Sequence, residues 1–119
     1  MIAHVILFTP KADLPAHAGH DLLADLKAAA SSIPSIRRVR LGPRVRHGLP
    51  GYEQMMRDDF TFAAIVEFDD MEGLKAYLAH PAHRALGSHF TASAERSLAY
   101  DYLLDDVGEA KQNLRTARS

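Results

Sequence analysis

Six segments of distinct hydrophobic period follow one another along the chain, and their order leaves few folds open. Residues 2–9 (IAHVILFT) are rich in β-branched and aromatic side chains and stop at Pro10, which has no amide proton for a ladder, so they read as a strand. Leu22, Leu23, Leu26, Ala30 and Ile33 then recur at helical spacing with Asp21, Asp25 and Lys27 between them. That pattern predicts a helix over residues 16–32, closed by Pro34.

Residues 36–46 (IRRVRLGPRVR) read as a strand interrupted at Gly42-Pro43, which implies a bulge or an edge position. The turn-rich run from His47 opens a connection to Asp59. Residues 60–68 (FTFAAIVEF) are the clearest strand, with Phe60, Phe62, Ala64, Val66 and Phe68 on one face and Thr61, Ala63, Ile65 and Glu67 on the other.

Asp69 and Glu72 have the spacing of a capping box and predict the start of a second helix with Leu74, Tyr77 and Leu78 on its buried face. His80 precedes Pro81, so the helix must break there and restart at the proline, running on through Phe90. Residues 96–104 (RSLAYDYLL) alternate as a fourth strand, Leu98, Tyr100, Tyr102 and Leu104 against Ser97, Ala99, Asp101 and Leu103. The expected domain covers residues 1–106, followed by a polar, flexible tail at 107–119.

The order β-α-β-β-α-β is that of the ferredoxin-like α+β fold, in which both helices cover one face of a single antiparallel sheet. The other face is left bare. On this reading it carries Ala63 and Ile65 of the third strand with Ala99 and Leu103 of the fourth, an apolar surface that pairing into a two-fold homodimer would cover.

Composition narrows the function. With 14 basic and 15 acidic residues and a net charge of -1, no whole-molecule field draws the chain to nucleic acid or to an anionic membrane. The run Arg37, Arg38, Arg40, Arg44, Arg46 is the local exception, and alternating arginines on a half-exposed strand ordinarily just solvate it. The absence of cysteine excludes a disulfide framework, a thiol nucleophile and thiolate metal sites. No apolar stretch approaches the length of a membrane span, and the apolar start has no basic leader, so the expectation is a cytoplasmic protein.

The stretch VEFDDMEGLKAYLAHPAH, with Phe68, Tyr77, His80, Pro81 and His83, resembles the signature of the stress-responsive dimeric A/B barrel family, and IAHVILF with His4 resembles that family's opening. The resemblance implies a dimeric α/β barrel of two ferredoxin-like subunits, each with a pocket between its sheet and its helices. Some members resemble polyketide cyclases that work with a tyrosine and a histidine, which fall here on Tyr77 and His83 as catalytic residues, with His4 lining the pocket. Many members have a histidine early in the third strand where this chain has Phe62, so the implied site is more apolar.

Chemically, a neutral imidazole at His83 could take a proton from an acidic methylene near neutral pH while the Tyr77 phenol donates to the enolate oxygen. The two converge only if the helix bends at Pro81. The substrate-binding wall is expected from His4, Phe8, Phe62, His80 and Leu86, and the ligand is expected to be a small apolar molecule. Each residue has a plainer reading: Tyr77 as a buried helix aromatic, His80 as a cap on the following amides, His83 as a surface histidine. His80 and His83, three apart, could join Glu67 or His4 in a facial metal site, but spacing alone does not make one, and no metal or other cofactor is expected. Two further expectations stand beside the binding reading: a non-catalytic structural or stress-protective dimer, and a related dimeric-barrel monooxygenase, disfavoured by the Tyr-His-Pro-His pattern and the lack of tryptophan.

Overall fold

A computed structural model describes residues 1–14 and 17–107. Eight elements follow in order: β1 (Ile2–Pro10), α1 (Ala18–Ser32), β2 (Arg38–Pro43), a short 3-10 turn (Glu53–Met55), β3 (Phe62–Phe68), α2 (Met71–Ala79), α3 (Pro81–Ser93) and β4 (Ala94–Leu103). The four strands form one antiparallel sheet in the order β2-β3-β1-β4, as the ferredoxin-like arrangement requires. The start of α1 expected at Ala16 and the tail from residue 108 lie outside the described residues.

The core forms where the face of the sheet that carries the even-numbered residues of β1 and β3 meets the helices. Ile2, Val66 and Phe68 pack against Leu26, Ala29 and Ile33 of α1, Leu74 and Tyr77 of α2, and Leu86 of α3. Phe68 and Tyr77 are the largest fully buried side chains. At ~25 cal/mol per Å² of apolar surface, side chains of this size dominate the gain from folding.

Two sequence expectations change. The cap of α2 is Asp70 rather than Asp69: its carboxylate accepts the Gly73 N–H at 2.9 Å, while Asp69 is held by Arg37 at 2.6 Å. Adjacent aspartates made the spacing ambiguous, and backbone conformation decided, since residue 70 is extended as a cap must be.

The faces of β4 are also exchanged. Val5 pairs with both Ile65 and Tyr100, and Leu7 with both Ala63 and Leu98. Directly paired residues share a face, so Leu98, Tyr100 and Tyr102 lie on the bare side, and Ser97, Ala99 and Asp101 point at the helices. Size misled the sequence reading, because the side of β4 under the helices is kept small to leave a cavity.

The arginine run is largely neutralised. Arg37 pairs with Asp69, Arg40 with Glu67, and both Arg44 and Arg46 with Asp59. No helix among the described residues is long and apolar enough to cross a membrane.

Candidate functional site

The site is built at the break between α2 and α3. His80 has φ -74° and ψ 141°, the extended conformation that a following proline imposes, and Pro81 then starts α3 with its fixed φ. The His80 imidazole turns back and accepts the Ala82 N–H at Nδ1, 3.0 Å away, satisfying one of the free amides at the start of the helix. One turn of α3 beyond the proline then brings His83 over the last turn of α2, with its ring 4.6 Å from that of Tyr77.

Strand β1 supplies the other side. His4 lies on the helix-facing side of the sheet, its ring 5.6 Å from Tyr77 in an edge-on arrangement. Its register partner on β4 is Asp101, and the Nδ1···Oδ1 separation is 2.6 Å. Against a carboxylate, Nδ1 carries the proton and donates, so the neutral ring keeps its lone pair on Nε2. Four polar side chains thus stand in a row, Asp101, His4, Tyr77 and His83, from three different parts of the chain.

His4, Tyr77 and His83 line one part of a cavity of about 330 Å³, and Asp101 stands behind His4. Ile6, Phe8, Leu26, Leu86 and Phe90 make much of the remaining wall, which is otherwise apolar, and Ser97 and Ala99 of β4 provide its width. Such a concave, mostly apolar space with a few convergent polar groups is the usual form of a small-molecule site.

Electrostatics set the protonation of the row. Burial, with the nearby Asp101 carboxylate adding to it, pushes the Tyr77 phenol up to about 12, so it remains a proton donor at any ordinary pH. Burial and the adjacent His4 lower the His83 pKa, opposed by a hydrogen bond to the Leu78 backbone, so the imidazole is neutral and able to accept a proton at neutral pH. Among the described residues the Tyr77 hydroxyl makes no hydrogen bond, and no polar side-chain atom is sealed away without a partner.

Of the residues singled out in the sequence, His4, Phe8, Tyr77, His83 and Leu86 line this one cavity. Phe62 stands behind it, stacked on Phe8 with ring centres 5.6 Å apart. His80 is occupied as the cap of α3. Glu67 lies on the opposite face of the sheet, bonded to Arg40, so it does not meet His80 or His83. No group of three or more His, Asp or Glu among the described residues is placed to hold a metal ion. Asp101 was missed by sequence reasoning. A single carboxylate inside the apolar run of β4 is the signal, but only the register names His4 as its partner.

A family model described as the stress responsive A/B barrel domain matches residues 2–104. Among curated proteins, none matches the chain. Among solved structures, the chain is similar to a dimeric ferredoxin-like protein of unknown function from Thermobifida fusca, with 20% identity and a TM-score of 0.68 over 87% of this chain and 90% of that one. It is similar to a hydroxynitrile lyase from Passiflora edulis, with 17% identity and a TM-score of 0.76 over 89% and 94% of the two chains. It is also similar to SnoaB, a cofactor-independent oxygenase from Streptomyces nogalater, with 20% identity and a TM-score of 0.65 over 89% and 94%. At these identities the likeness is one of fold.

Proposed function

Because the chain belongs to the stress responsive A/B barrel domain family, we propose that it works as a homodimer, each subunit binding a small apolar carbonyl or phenolic compound and acting on it by acid-base chemistry without a cofactor. The observation that carries this reading is the convergence of His4, Tyr77 and His83 on an otherwise apolar cavity, with Asp101 behind His4. A bound ketone would place its hydrocarbon part against Phe8, Leu26 and Leu86, and its oxygen toward the phenol.

In this scheme His83 removes a proton from the carbon next to the carbonyl, and the electron pair left behind moves into the C–O unit. Tyr77 donates a hydrogen bond from its hydroxyl to the oxygen as charge develops there. His4 is held by Asp101 in one tautomer beside the phenol, where its Nε2 lone pair can take up a proton or orient the ligand. Return of the proton from His83 to carbon closes the cycle; alternatively the enolate carbon attacks a second carbonyl of the same molecule, and the proton on His83 passes to the alkoxide oxygen that forms there, with no electrons gained or lost. The lack of cysteine fits a reducing, cytoplasmic setting for such a protein.

The test is exchange of α-protons into deuterated water, followed by NMR, over a panel of aryl and alkyl methyl ketones. The expected result is exchange faster than in buffer for at least one ketone, reduced about 100-fold or more in His83→Gln and in Tyr77→Phe, as is usual for a general base or an oxyanion donor. Ketones that bind with no exchange in the native protein would leave a binding protein, and ketones that neither bind nor exchange would overturn the reading.

A further inference from the structure

The connection between β2 and β3 is exposed, yet side-chain bonds tie it at its base and at its tip. Its base is held by its own arginines and from two strands, β1 and β4. The Asp59 carboxylate accepts from Arg44 at 2.6 Å and from Arg46, the Asp59 carbonyl accepts from the Thr9 hydroxyl at 2.8 Å, and Arg96 donates to Asp58 at 3.0 Å. Its tip is braced internally: the Glu53 carboxylate accepts the Gly48 N–H at 2.6 Å and faces His47 Nε2 at 3.1 Å. Gly48 and Gly51 turn the chain with φ of 72° and 87°, a region glycine enters without strain.

This arm nevertheless holds large apolar side chains out in solvent. Val45 is 87% exposed, Met55 71%, Met56 61%, Tyr52 58% and Leu49 57%. Ordering a loop costs backbone entropy at every residue. Here little burial returns that cost within one chain, and clustered exposed apolar groups of this kind mark a surface that another body covers.

The position of the arm says which body. A groove of about 420 Å³ joins it to the bare face of the sheet, with Met56 and Arg57 on the arm side and Leu7 and Ala63 on the sheet side. Leu7 and Ala63 belong to the surface that also carries Tyr100 and Tyr102, half exposed. A body that covers the bare face at its Leu7 and Ala63 end borders the arm.

We propose that the arm at residues 45–56 is a clasp that closes over a second copy of this chain, so that in the two-fold dimer each subunit's Leu49, Tyr52, Met55 and Met56 pack on the other. The inference rests on the dimer proposed above and adds to it a second contact region, outside the sheet face. A two-fold axis makes the contact reciprocal and counts the arm twice, which helps the interface toward the roughly 800 Å² per partner of a stable complex.

The chain has no cysteine, so a fluorophore sensitive to polarity can be placed at one position through Met55→Cys. Self-association of this protein, of the double variant Tyr52→Ser/Met55→Ser and of Tyr100→Glu is measured by sedimentation. The expected results are a dimer whose label emits to the blue and shifts red on dilution, a double variant at least tenfold weaker in self-association, and a monomer for Tyr100→Glu. A double variant that dimerises like the native chain, with a label equally solvated in dimer and monomer, would overturn the clasp while Tyr100→Glu still shows the sheet-face dimer. A native chain that stays monomeric at every concentration would remove the dimer and the clasp together.

Discussion

Single residues carry the chemistry through their neighbours. His83 is tuned by what surrounds it: burial and His4 favour the neutral ring, so the proton-accepting form is present at neutral pH and is lost only as pH falls below the ordinary histidine value of about 6.5. The expected pH-rate profile for α-proton exchange has an acid limb displaced below that value and no limb from Tyr77 until far above neutrality. An acid limb centred above pH 7 would show that another group is the base. Asp101 acts through His4, whose Nδ1–H it accepts at 2.6 Å. Asp101→Asn keeps the size and can still accept that hydrogen bond, but removes the charge. It is expected to slow exchange about tenfold or more while the fold and ketone binding persist, the pattern of a positioning residue. Equal rates in the two proteins would mean that His4 needs no such partner.

At the scale of elements, the decisive piece is the junction of α2 and α3. A continuous helix would carry Tyr77 and His83 six positions apart, hence about 120° apart around its axis and more than a turn along it, at 100° per residue. The extended His80 and the proline after it fold the second helix back over the first, and this is what brings the rings within 4.6 Å. His80→Ala removes the acceptor of the Ala82 N–H and is expected to cost about 1 kcal/mol, seen as a lower melting temperature by circular dichroism, with His80→Asn restoring much of it. A melting temperature unchanged in His80→Ala would deny the cap its role. The strand pair β1 and β4 is the other positioning element, since its register sets His4 opposite Asp101.

For the whole molecule, the same buried groups tie stability to pH at both ends of the scale. The His83 pKa is lowered by folding, so the unfolded chain binds the proton more readily. Its contribution is present above about pH 6.5 and is lost as pH falls through the folded value. The Tyr77 phenol is raised to about 12 by folding. Its contribution is complete below the unfolded value of about 10 and is lost as pH rises through the folded one. Chemical denaturation of the native chain and His83→Gln should therefore show a difference in stability that narrows or reverses as the solution is made acidic. A constant difference across that range would contradict the linkage. The molecule also has two unlike sides: the helices close one face of the sheet over a cavity, and the other shows Tyr100 and Tyr102 at one end and the pair Arg40 and Glu67 toward the other.

By itself the sequence determined the order of elements, the break before Pro81, and His4, Tyr77 and His83 as the groups to watch, because periodicity, proline geometry and side-chain chemistry are local properties. The tertiary structure decided what depends on pairing across the chain. Strand register chose Asp101 as the partner of His4 and turned Tyr100 and Tyr102 away from the helices, and backbone conformation chose Asp70 over Asp69 as the cap. A period of two along a strand says which residues share a face but not which face is inside. That choice shows only in the strand register, which turns Ser97 and Ala99 toward the helices, where their small side chains border the cavity.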